Sequence, residues 1–239
     1  MRRDPLLDLL QDEIVNCRLC PRLREHCANI AIVKRRAYRD WNYWGKPVPG
    51  FGDPQARILI LGLAPGAHGS NRTGRMFTGD RSGEILFRVL HDTGFASQPE
   101  SHSRDDGLIL REVFITAAAR CAPPGNKPTP GEIRNCRPFL ERELDLLTNV
   151  KVVVALGKIA FDTYLDLLKS HAAIGSRAPF VFGHDREFVT APGHPLLISS
   201  YHPSQQNTST GKLTEEMLRD VFRRARRAAE RGVGLQNPT

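Results

Sequence analysis

Four short apolar runs, separated by stretches with helical spacing, constrain what this chain can fold into more than any other feature. They are Ile58-Leu59-Ile60-Leu61, Val113-Phe114-Ile115-Thr116-Ala117, Lys151 to Leu156 (KVVVAL) and Leu196-Leu197-Ile198-Ser199-Ser200-Tyr201. Continuous apolar runs of this length, rich in branched side chains, read as strands buried on both faces. Between them the spacing turns helical. Ser82 to Gly94 carries Ile85, Leu86, Val89 and Leu90 on one face and ends on a glycine suited to a left-handed cap. Thr129-Pro130-Gly131-Glu132 is a helix start, with Thr129 as N-cap, Pro130 in the first position and Glu132 closing a capping box. Ile133, Cys136, Leu140, Leu144 and Leu147 follow on one face, and Gly157 opens a further helix. The first helix spans about Asp4 to Asn16. The last, roughly Thr214 to Arg231, turns Met217, Leu218, Val221, Phe222 and Ala225 inward and leaves Arg219, Arg223, Arg224, Arg226, Arg227 and Arg231 in solvent.

Strands alternating with helices imply a parallel sheet covered on both faces. The expectation is α/β: one three-layer αβα domain over residues 1–239, with a central, mostly parallel four-stranded sheet. Residues 1–28 form its N-terminal helix and cysteine segment, and 210–239 its basic C-terminal helix and tail. Residues 29–55 show no clear period, and 178–195 read as a hairpin or an irregular excursion.

In such a sheet, ligands bind beyond the carboxyl ends of the strands. The loop leaving the first run, Gly62-Leu63-Ala64-Pro65-Gly66 and onward, carries His68, Asn71, Arg72, Arg75, Phe77 and Asp80. Chemistry is expected there. The plainer reading is a βα connection whose glycines serve the turn, with Asp80 as N-cap of the next helix.

The chain has 34 Lys+Arg against 26 Asp+Glu, a formal charge of +8, and an excess of that sign favours a polyanionic partner such as nucleic acid. Between residues 34 and 46, Lys34, Arg35, Arg36, Tyr38, Arg39, Trp41, Tyr43, Trp44 and Lys46 interleave charge with aromatic rings, a pattern suited to phosphates and stacked bases. Packing on the domain is the simpler role for Trp41 and Trp44. The apolar residues near the N-terminus are interrupted by Asp4, Asp8, Asp12 and Glu13, unlike a signal peptide, so a cytoplasmic protein free of the membrane is expected. Five cysteines in that setting argue against disulfides. Cys17 and Cys20 form a CxxC before Pro21, while Cys121 and Cys136 are widely spaced. Four thiolates can close around zinc or a 4Fe–4S cluster. The wide second pair is unlike a zinc ribbon's and favours the cluster, with zinc as the alternative; Cys27 is left without a role.

Three segments taken together carry a resemblance. They are Gly62-Leu63-Ala64-Pro65-Gly66 with Gly74-Arg75-Met76-Phe77-Thr78-Gly79-Asp80, then Ile115-Thr116-Ala117 with Cys121-Ala122-Pro123-Pro124-Gly125-Asn126, then His202-Pro203-Ser204-Gln205-Gln206-Asn207. In this order, with the four cysteines, the chain resembles the uracil-DNA glycosylase superfamily, and within it family 5, the type B enzymes of bacteria and archaea. The resemblance implies a parallel-sheet α/β fold and a structural 4Fe–4S cluster on Cys17, Cys20, Cys121 and Cys136. It implies cleavage of the N-glycosidic bond of uracil in DNA by a protein acting as a monomer on a prokaryotic nucleoid. Phe77 resembles the aromatic that stacks on the extruded base, and Gly62, Ala64 and Ala117 line the base pocket. Asp80 would stabilise the sugar cation and orient water, His202 would donate to O2 of the leaving base, and Asn126 would stand near the water or base. Arg75, Ser204, Gln205 and Gln206 would contact DNA, the last two where other branches use an apolar wedge.

Two positions depart from other branches, which place a water-activating side chain at position 64 and an asparagine at 117, where this chain has Ala64 and Ala117. Family 5 shares that pattern. Loss of an amide that reads the base edge relaxes discrimination, so acceptance of hypoxanthine and other deaminated bases is expected. The competing reading is a non-catalytic nucleic-acid-binding protein with a structural metal centre. A nucleotide-binding enzyme is disfavoured because the loop lacks GxxxxGK[ST].

Overall fold

The structure is a computed structural model and describes residues 4–231; the end of the expected C-terminal tail lies outside the described residues. The N-terminal helix α1 (Pro5–Asn16) starts where Asp4 accepts from the Leu6 amide at 3.0 Å. After Cys17 and Cys20 the chain forms α2 (Pro21–Val33), with proline in its first turn. This helix was hidden in the sequence because it buries only Leu23 and Cys27, too few for a clear period.

The remaining elements are β1 (Phe51–Gly52), β2 (Ile58–Gly62), the short α3 (Ser70–Thr73), α4 (Arg81–Asp92), β3 (Val113–Ala117), α5 (Pro130–Leu146), β4 (Val152–Leu156), α6 (Lys158–Ser170), β5 (Arg186–Phe188), β6 (Leu196–Ser200), α7 (Gln205–Ser209) and α8 (Glu215–Arg231). The sheet has six strands in the order β1-β3-β2-β4-β6-β5, not the expected four. The four expected strands are its parallel centre, while β1 and β5 pair antiparallel at the edges. At two and three residues, these edge strands are too short to show period-2 alternation.

Alternation along the strands divides the core. Ile58 and Ile60, with Val152 and Val154, face a layer containing Leu86, Phe87 and Leu90 of α4 and Leu218, Val221 and Phe222 of α8. Leu59 and Leu61, with Val153 and Ala155, face Leu7 of α1, Leu140 of α5 and Phe161 and Tyr164 of α6. This is the three-layer arrangement. The capping box at Thr129 and Glu132 forms as the sequence indicates, and Gly94 takes a φ of +76° just beyond α4. The arginines of α8 depart from expectation. Arg219 pairs with Asp92, Arg224 with Asp185, and Arg226 caps the Thr93 carbonyl, so these three tie α8 to the domain instead of lying free. Among the described residues, no helix is long and apolar enough to cross a membrane.

Candidate active site

The crossover from β2 to β3 runs over the α4 face, whereas β3 to β4 and β4 to β6 run over the opposite face. Connections therefore diverge between β2 and β4, and the crevice at their carboxyl ends is the topological switch point. The loop from Gly62 to Asp80 leaves β2 there, Gly157 ends β4 there, and His202 follows β6.

Phe77 and His202 come together at this point, their rings stacked at 5.8 Å between centroids and 27° between planes. A glycine lies against each of the two residues. A Cβ on Gly62 would lie 2.8 Å from the Phe77 ring, and one on Gly157 would lie 3.3 Å from His202. Phe77 has a left-handed φ of +53°, a costly conformation for a bulky residue, and Gly83 packs so closely that a Cβ there would lie 1.7 Å from the Phe77 carbonyl oxygen. Phe77 thus belongs to the core and to the crevice at once, with 8% of its surface exposed. The His202 backbone is held by Asn207, whose Nδ2 donates to its carbonyl at 2.9 Å.

Burial lowers the His202 pKa to about 4, so the ring is neutral at pH 7 and keeps one N–H donor. The sign for stability follows. An unfolded histidine titrates near 6.5, so between roughly pH 6.5 and 4 the unfolded chain takes up a proton that the folded ring refuses. Thermal stability is expected to fall over that interval, and His202→Gln to flatten this part of the profile; an unchanged profile in a calorimetric pH series would contradict it.

Asp80 serves two ends with its two oxygens. Oδ1 accepts from the Gly83 amide at 3.1 Å and caps α4, as the plainer sequence reading held. Oδ2 faces Gly66 and Gly69, where an added Cβ would lie 2.8 Å and 2.1 Å away. Burial pushes the carboxyl upward, opposed by the amides of Gly83 and Ser82 and by the Arg72 guanidinium. Gly69→Ala would drive a methyl into Oδ2, and a shift of about 1 Å in a catalytic group costs on the order of 100-fold in rate. That loss, with duplex affinity kept, is the expected kinetic result.

Arg72 was named in the sequence only as a loop residue, yet it organises this loop. Its guanidinium lies 4.0 Å from the Tyr38 ring and 4.0 Å from the Trp41 ring. Nε donates to the His68 carbonyl at 2.7 Å and Nη2 to the Gly79 carbonyl at 2.8 Å. The 34–46 segment therefore packs over the loop, as expected for Trp41 and Trp44, and Trp44 lies against Gly74. Asn71 is fully buried and donates to the Cys27 carbonyl at 3.3 Å, joining the cysteine segment to the Asp80 loop.

Arg75 is a correction. It is 5% exposed, pairs with Asp106 at 2.6 Å and donates to Ser101 and Thr78, so it braces the 101–106 loop and is not available to DNA. Asn126 is exposed, has a φ of +57° and belongs to a 3-10 turn beside Gly125. Ser204 caps α7 by accepting from the Asn207 amide, whereas Gln205 and Gln206 are exposed in its first turn. Ala117 is buried beside Gly62 in the β2–β3 register and Ala64 is half-buried, so neither presents a polar group.

None of the five cysteines is joined in a disulfide. Cys20, Cys27 and Cys121 share a small apolar cluster with Leu23 and Ala122, and Cys136 is buried on α5. Burial raises the Cys20 and Cys136 thiols, with smaller contributions from Cys121 and Cys17 at Cys20 and from Cys121 and Cys20 at Cys136. Among the described residues, no three Cys, His, Asp or Glu side chains converge tightly enough for one metal ion. Four thiols brought to one region are a donor set that could hold a multi-iron cluster or zinc.

A small crossed-over parallel sheet with an acid, an aromatic ring and a neutral histidine at its switch point defines a class, and comparison with known sequences agrees. The pattern of the Uracil DNA glycosylase superfamily matches residues 49–226, and the chain belongs to that superfamily. The chain is 53% identical over 214 residues to the type-5 uracil-DNA glycosylase of Thermus thermophilus, covering 89% of this chain and 94% of that protein. It is 50% identical to the type-5 uracil-DNA glycosylase of Mycobacterium bovis, over 89% of this chain and 78% of that protein. To that of Pyrobaculum aerophilum it is 46% identical, over 92% of each. Its place within the superfamily is with the type-5 enzymes.

Proposed function

We propose that this protein is a base-excision repair glycosylase that removes uracil from DNA and leaves an abasic site. The observation that carries the reading is the Phe77–His202 stack at the switch point, with Asp80 on the same loop as Phe77, one oxygen capping its helix and the other turned toward Gly66 and Gly69. A base in duplex must be extruded at a cost of a few kcal/mol and recovered by stacking and edge contacts. Phe77 supplies the stacking surface. As the C1′–N1 bond breaks, its electron pair leaves with uracil and the sugar becomes cationic. Asp80 stabilises the cation and takes a proton from the water that adds to C1′. His202, neutral, donates its N–H to O2 of the departing anion; a buried imidazole with a pKa about 4 suits a donor that is not itself an acid.

Three finer points belong to the same reading. Ala64 and Ala117 leave the base edge without side-chain partners, so hypoxanthine is accepted as well as uracil. Cys17, Cys20, Cys121 and Cys136 hold a 4Fe–4S cluster, which when bound fastens the α1–α2 segment to β3 and α5. Gln205 and Gln206 meet DNA from the exposed side of α7. The protein acts as a monomer on the prokaryotic nucleoid, folded as one domain. The test pairs two duplexes, one with a single uracil and one with a single hypoxanthine, read as alkali-labile breaks. Breaks in both are expected, and a uracil-only result would withdraw the broad pocket. DNA binding without breaks in either would favour the non-catalytic reading. Iron and sulfide analysis of protein purified without oxygen reads the cluster directly, and stoichiometric zinc would replace it.

A further inference from the structure

The segment 183–188 beside β6 belongs to no motif of the sequence analysis, yet it is fastened along the last strand at successive points. The Ser199 hydroxyl donates to the Gly183 carbonyl at 2.6 Å, β5 pairs with β6, and Asp185 binds Arg224 of α8 with two contacts of 2.8 Å. Between these points lies His184. Its ring stacks on Tyr201 at 5.2 Å and 27°, and its Nδ1 accepts from the Tyr201 backbone amide at 3.3 Å.

Tyr201 is the residue between the end of β6 and His202. The backbone of this stretch is held three times in succession. Gly157 donates to the Ser200 carbonyl at 2.8 Å, His184 accepts from the Tyr201 amide, and Asn207 donates to the His202 carbonyl. The first and third contacts come from the sheet and from the local turn. The second crosses from a distant loop, and it requires an imidazole whose Nδ1 carries no proton. We propose that His184 is a positioning residue: its Nδ1 fixes the Tyr201 amide and so sets where His202 meets the base. The inference rests on the assignment of His202 made above.

The substitutions separate the acceptor from the ring. His184→Phe keeps a ring to stack on Tyr201 and removes the acceptor. His184→Asn removes the ring and restores an oxygen near the position of Nδ1. Single-turnover excision from a uracil duplex and equilibrium binding to the same duplex are measured for both, beside His202→Ala. His184→Phe is expected to lower the excision rate about 10-fold or more, as misplacement of a reacting group does, with duplex affinity within about 2-fold. His184→Asn is expected to stay within about 3-fold of the parent rate, because the hydrogen bond to the Tyr201 amide is kept.

Equal impairment of both His184 variants would assign the effect to ring packing and overturn the proposal. His184→Phe at full rate with His202→Ala impaired would overturn it alone. If His184→Phe and His202→Ala both turned over normally, the role given to His202 would fall with it. A measurement on the unaltered protein needs no variant to fold: nitrogen-15 shifts of His184 should report the tautomer protonated at Nε2. A ring protonated at Nδ1 would contradict the hydrogen bond on which the proposal stands.

Discussion

Replacing Asp80 by asparagine is expected to lower the single-turnover rate of uracil excision by about 10²–10⁴-fold, the usual worth of a group acting on the reacting atoms. Duplex affinity and folding should stay close to those of the parent. Asparagine is as good an N-cap as aspartate, so the Gly83 amide keeps its partner and α4 its start. What is lost is the charge on Oδ2, the oxygen facing Gly66 and Gly69. Alanine at the same position would also remove the cap, at a cost of about 1 kcal/mol, and would mix stability with chemistry. Comparing the two distinguishes the roles. A small loss of rate in Asp80→Asn beside a large one in Asp80→Ala would make Asp80 a cap and nothing more.

The largest effect on stability is expected at a buried ion pair. Arg120 and Glu143 form an ion pair at 2.6 Å with side chains 1% and 0% exposed, and the Thr116 hydroxyl donates to the same carboxylate at 2.7 Å. Such a pair adds little over an apolar replacement of both partners, but removing one partner leaves a buried charge unmatched. Glu143→Ala should therefore cost about 3–5 kcal/mol. At roughly 2–4 °C per kcal/mol for a chain of this size, the melting temperature should fall by roughly 6–20 °C. The pair joins α5, which carries Cys136, to the segment just after β3, which carries Cys121. Arg142→Ala, which breaks an exposed pair with Glu13 on α1, should change stability by no more than about 1 kcal/mol. Similar melting temperatures for the two variants would contradict this account of the buried pair.

The parts legible in the sequence are those that obey a period or a fixed chemistry. The central strands are apolar on both faces, so they announce themselves; β1 and β5 do not, being too short for alternation to register. Thr129 and Glu132 stand at the spacing of a capping box, and the box forms. By contrast, α2 was missed because Leu23 and Cys27 are its only buried positions. Phe77, Asp80 and His202 are marked by their place at strand ends, and Asp80 caps its helix with one oxygen while the other faces Gly66 and Gly69. Arg75 was misread because an arginine in a glycine-rich loop looks free until Asp106, distant in sequence, is seen beneath it. Arg72, Asn71 and His184 act through partners distant in sequence or through rings stacked across a fold. No spacing within one segment carries that information.

The central claim is excision, and it is tested most directly by following both products from one substrate. A duplex with one uracil is incubated with the protein, free uracil is measured by chromatography, and the same duplex with thymine at that position serves as control. Free uracil appearing in equal amount to abasic sites, with none from the thymine duplex, is the predicted result. Tight, salt-sensitive binding of the uracil duplex with no base released would contradict it.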